Sequence, residues 1–164
     1  MSAALITASV LGLAGLIFSA TIGFVAASSV EVSRHISVGI FFTLITFLAH
    51  SMTMFYLIGK GKAVREAVTE GNLSPELYAT VVRARKPVFS ISTVAMLLTM
   101  TTAIIGGGVD TGVLPTVIHS MFAVSAIATN VMALRAEVGA MVSISRVVEE
   151  VDTLLASAES TSHS

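Results

Sequence analysis

Four stretches of this chain contain no Asp, Glu, Lys or Arg: residues 1–30, 35–59, 87–109 and 111–134. A helix needs about 20 mainly apolar residues to cross the ~30 Å hydrocarbon layer of a bilayer, and each stretch is long enough. Charged residues make up 12% of the 164, against about 25% in soluble domains, so a water-soluble globule is excluded. The expected architecture is all-α, a polytopic four-helix transmembrane bundle with spans at about 4–28, 35–59, 87–108 and 113–135. Long cytoplasmic helical extensions are expected to continue it.

Orientation follows from the basic residues. Lys60, Lys62, Arg65, Arg83, Arg85 and Lys86 all lie between spans two and three, whereas Arg34 alone follows span one and only Asp110 follows span three. Cytoplasmic loops carry such an excess, so both chain ends are expected in the cytoplasm of a plasma (inner) membrane protein. The first span lacks the basic start of a signal peptide and exceeds its usual apolar core of about 7 to 15 residues, so it reads as a retained helix.

Span one carries Gly15, Ser19 and Gly23 four residues apart beside Ala4, Ala8 and Gly12, a small-residue ridge suited to close packing against spans two or four. Residues 60–86 read as a helical hairpin. Gly71 and Asn72 supply a stop, and Ser74, Pro75 and Glu76 an N-cap, a Pro at the first helical position and an acid in the first turn. Gly106, Gly107 and Gly108 predict a tight turn after span three, and Pro87 a bend at its start. Beyond Arg135, apolar residues at Val138, Met141, Ile144, Val148, Val151 and Leu155 recur at three-and-four spacing, predicting an amphipathic cytoplasmic helix over 136–156. Its expected cover is the hairpin, through Val64, Val68, Leu77 and Val81. Residues 157–164 are small and polar, and disorder is expected there.

Ionisable side chains inside spans are functional candidates by default. His50 and His119 qualify, each opening the tripeptide His-Ser-Met, with His35 at the edge of span two. A four-helix membrane bundle with facing histidines resembles the small b-type cytochromes and the haem-carrying membrane anchor subunits of respiratory enzymes. The resemblance covers the four spans and is one of architecture. It implies haem b held by His50 and His119, with electrons passing to or from a quinone or a partner redox subunit.

Depth arithmetic complicates that pair. His50 lies 16 residues after Arg34, but His119 lies 9 after Asp110, an offset of roughly 10 Å along the membrane normal. His35 is therefore a second candidate partner for His119. With Glu31, one helical turn away, and Asp110, it also suggests an outer metal site. His50 has a structural alternative, hydrogen bonding across helices to Thr43, Thr99 or Asn130. Met52, Met54, Met96, Met100, Met121 and Met132 read as core filler before copper ligands. Tyr56, near Lys60, suits a quinone head or an interfacial anchor.

The absence of Cys excludes iron–sulfur and thiolate zinc sites, and no hydrolase motif is present. The hairpin's basic residues are interspersed with acids and explained by topology, so no nucleic-acid partner is expected. No catalytic motif marks an enzyme. Two functions remain: a haem b electron-transfer protein or membrane subunit of a redox complex, and a non-catalytic accessory subunit docking a larger complex through its cytoplasmic helices.

Overall fold

The computed structural model describes residues 1–162 and consists of four helices: α1 (Ser2–Val25), α2 (Ser29–Glu70), α3 (Pro75–Asp110) and α4 (Thr116–Ser162). All four are long and apolar enough to cross a membrane. At 1.5 Å per residue α4 is about 70 Å long, more than twice the thickness of a hydrocarbon layer. The helices form a ring in which each neighbour in sequence packs on the next and α1 closes on α4. Contacts between α2 and α4 cross the middle, while α1 and α3 do not approach each other.

The small-residue ridge of α1 explains its packing. A Cβ at Gly15 would fall within the Phe42 ring, and one at Gly12 would lie 2.7 Å from Thr46 Oγ1, so the ridge is spent on α2 inside the molecule. These antiparallel pairs bring the start of α1 level with about Phe55. Beyond that level α2, α3 and α4 continue alone as a three-helix stalk. Its core is Val64 and Val68 from α2, Leu77 and Val81 from α3, and Met141, Ile144, Val147 and Val151 from α4. The hairpin therefore covers the apolar stripe of α4, as its periodicity predicts. Val138, expected in that stripe, is exposed instead.

The turn at the stalk tip is built by its sequence. Asn72 takes a positive φ of 48°, Leu73 N–H donates to the Val68 carbonyl at 2.9 Å and Asn72 N–H to that of Thr69, which closes α2 in a Schellman motif. The Ser74 hydroxyl then accepts from Glu76 N–H and starts α3 with Pro75 in its first turn.

The other end differs from the sequence reading at one point. Gly106–Gly108 are helical, α3 runs on to Asp110, and the turn falls at Gly112, whose φ of 73° is one that L side chains rarely adopt. Val113 N–H closes this second Schellman motif on the Gly108 carbonyl at 2.9 Å. Helix α4 also continues past Ala156 to Ser162, so residues 157–162 are helical where disorder was expected; residues 163–164, with His163, lie outside the described part.

Candidate functional site

The polar side chains of the bundle collect at two levels. The deeper one involves all four helices. On α4, Asn130 and Glu137 are two turns apart on one face; on α2, His50 lies between them. His50 Nδ1 is 2.5 Å from Glu137 Oε1, and Nε2 is 2.9 Å from Asn130 Oδ1. Ser9 of α1 donates to Glu137 Oε2 at 2.9 Å, and Ser92 of α3 donates to Oε1 at 3.2 Å. Asn130 Nδ2 donates to Thr99 Oγ1 at 2.9 Å and to the Ala126 carbonyl at 2.7 Å. His50 and Glu137 are 2% and 1% exposed, and among the described residues no other ionisable side chain is buried.

Glu137 was not expected here. It follows Arg135, which the sequence reading takes as the end of span four, so it counts there as a cytoplasmic residue and no carboxylate is assigned to the spans. The pairings set Glu137 level with His50 and Ser92, both of which lie within charge-free stretches of their own helices. Antiparallel register from Ser92 then brings Lys86 level with about residue 143, roughly 9 Å further along the bundle. Arg135 projects from the opposite, exposed face of α4.

The second level is near the two short connections and pairs His35 of α2 with His119 of α4. Their ring centroids are 6.0 Å apart and the planes stand at 80°. His35 Nδ1 lies 2.9 Å from the Ser19 carbonyl of α1, with the Ser19 hydroxyl at 3.4 Å. A carbonyl only accepts, so Nδ1 carries the proton and Nε2 is left with its lone pair. His119 Nδ1 is buried without a hydrogen bond, and the Thr102 backbone of α3 lies beside its ring. Glycine lets both rings sit against the neighbouring helices. A Cβ at Gly23 would come within 2.7 Å of His35 Cε1, and one at Gly106 within 3.1 Å of His119 Cε1.

The structure thus brings together His35 and His119 and separates both from His50. The two His-Ser-Met tripeptides are not in equivalent surroundings. Glu31 is not directed at His35 either: its carboxylate accepts from the backbone N–H of Ala27 and Ser28 and from the Ser28 hydroxyl, completing a capping box for α2. Those donors, the Ala27 N–H foremost, hold the Glu31 carboxyl below the usual range. No group of three His, Asp or Glu that could hold a metal occurs among the described residues, so the Glu31–His35–Asp110 combination is not assembled. Met52, Met100, Met121 and Met132 are exposed, and Met96 Sδ accepts from Ser51. Tyr56 packs partly buried against the core. No protein-family model, curated protein or solved structure matches the chain.

Proposed function

We propose that this chain is a haem b-binding electron-transfer protein of the membrane, or the membrane subunit of a redox complex, with His35 and His119, in place of His50 and His119, as the residues that would hold the haem. The observation that carries the reading is the 6.0 Å separation of the His35 and His119 rings. Two imidazoles sharing one metal through bonds of about 2.0 Å have centroids about 6 Å apart, since each ring nitrogen lies about 1.1 Å from its centroid. His50 does not fit the role, because both its ring nitrogens already have protein partners.

Two features support a metal-held group at this pair. The Ser19 carbonyl fixes the His35 tautomer in the way that metal-ligating histidines are oriented, leaving Nε2 free. His119 keeps an orphaned ring nitrogen. A haem held there would supply one-electron chemistry. The protein's part is to orient the two rings through Ser19 and the glycine contacts and to exclude water with the surrounding spans. The basic cluster supports a cytoplasmic stalk, with this centre in the opposite half of the membrane and a quinone or a redox subunit as electron partner.

The alternative is an accessory subunit whose helical stalk docks a larger complex. It is favoured by the length of α4, which extends past Leu155, the residue packed against Gly71 at the hairpin tip. One spectrum separates the two. Protein purified in mild detergent from haem-supplemented cells should show a Soret band and sharp visible bands on dithionite reduction, lost in His35→Ala and in His119→Ala. A folded but colourless preparation contradicts the cytochrome reading.

A further inference from the structure

The hydrogen-bond logic of the deeper level leaves one proton unassigned. Thr99 Oγ1 donates to the Ala95 carbonyl at 2.8 Å, so towards Asn130 it accepts. The Ala126 carbonyl also accepts, which fixes the Asn130 amide with its NH2 on those two groups and its Oδ1 towards His50. An amide oxygen cannot donate, so His50 Nε2 must carry a proton. Ser9 and Ser92 donate to the carboxyl of Glu137 from the other side. What remains is the 2.5 Å link between Nδ1 and Oε1. A proton held there makes the pair neutral as a whole, either as imidazolium and carboxylate or as imidazole and carboxylic acid. Removing it would leave a lone carboxylate in a low-dielectric interior, which is unfavourable.

A second observation concerns the same face of α2. Thr46 and Thr53, one turn before and one turn after His50, have hydroxyls that are buried without any hydrogen-bond partner. Buried hydroxyls are normally satisfied, and internal water is the usual partner where protein offers none. The two orphans leave an unsatisfied hydroxyl on either side of the pair. Thr53 lies on the stalk side, seven residues before Lys60.

We propose that His50 and Glu137 form a proton-binding site of the bundle, holding one proton between Nδ1 and Oε1 and exchanging it with the stalk end through water at Thr53. The site is independent of the proposed haem site, which uses other residues at another level. Few charges face it. Its own members are the only buried ionisable groups among the described residues; α1 and α3 present Ser9 and Ser92; Arg135 is on the outer face of α4; and Lys60 and Lys86 lie towards the stalk. The function this supports is proton uptake at one membrane face, as needed beside any reaction that consumes protons there.

Infrared difference spectroscopy of the full chain in lipid nanodiscs, in H2O and D2O across a pH series, tests this. The wild type should show a carboxyl–imidazole signal that shifts in D2O, and titrating it should release one proton per chain. Glu137→Gln, close in shape, should lose that signal and the proton, whereas Glu149→Gln, at an exposed position on the stalk, should match the wild type. Thr53→Val should keep the signal and slow its exchange at least tenfold. If Glu137→Gln does not fold, folded His50→Asn, which removes Nδ1 and keeps the carboxyl, should lose the same signal. Identical spectra for wild type and Glu137→Gln, a folded His50→Asn that keeps the wild-type signal, or unchanged exchange in folded Thr53→Val overturns the proposal.

Discussion

At the scale of single residues, the two histidine levels divide by what their nitrogens touch. His50 has none to spare, while His35 keeps Nε2 and His119 an orphaned Nδ1. The sequence places all three histidines and names Asn130 as a partner for His50, but it does not reveal Glu137. Two residues beyond an arginine, a glutamate reads as solvated, and the stripe followed along α4 is the apolar one. A mixed stripe was there to find: Ala126, Asn130, Ala133, Glu137, Ala140 and Ile144 recur at three-and-four spacing, and all are buried. Small residues interleaved with polar ones are the pattern of a close helix–helix seam in lipid. Glu137→Leu should therefore be costly, since it strips partners from His50, Ser9 and Ser92 together. The expected loss is about 3 kcal/mol in reversible detergent unfolding, the scale for breaking a buried charge pair. A loss near ~0.6 kcal/mol, typical of one interhelical bond in lipid, would mean that the network is slack. In the His50→Leu/Glu137→Leu double variant the loss should fall well below the sum of the single ones.

At the scale of elements, local signals served well wherever a turn has only its own residues to answer to. The Gly71–Glu76 stop and start are as read, apart from the positive φ falling on Asn72. Asn72→Gly should be nearly neutral, whereas Asn72→Val should cost about 1 to 2 kcal/mol, because a branched side chain resists the left-handed region; thermal unfolding of the two variants checks this. The three glycines of α3 misled for a tertiary reason. Gly106 is small to admit the His119 ring and Gly108 is packed on Leu114, needs that no local rule for turns contains. The start of α2 offers a pH test. Because the folded Glu31 carboxyl is held below its ordinary value, its cap contributes fully above that ordinary value and is lost as pH falls through the lowered one. Amide exchange at Ala27 and Ser28, corrected for intrinsic rate, should accelerate over that acidic window. In Glu31→Gln the acceleration should be absent.

At the scale of the whole molecule, the four charge-free stretches announce four long helices and the stalk repeat announces its own cover. The register between helices is not announced. It is set by the Ser92–Glu137 and Thr99–Asn130 pairs together with the α1 ridge, contacts between residues far apart in sequence. That register decides which histidines meet. The central claim is that the His35–His119 level is the cofactor site and the His50–Glu137 level is not. Its most direct test is the dithionite-reduced spectrum of His50→Asn protein beside that of His35→Ala, both shown folded by helicity and elution. The account predicts that His50→Asn keeps the low-spin bands at full haem occupancy and loses only stability, while His35→Ala loses them. Bands lost with His50 and retained without His35 would contradict it.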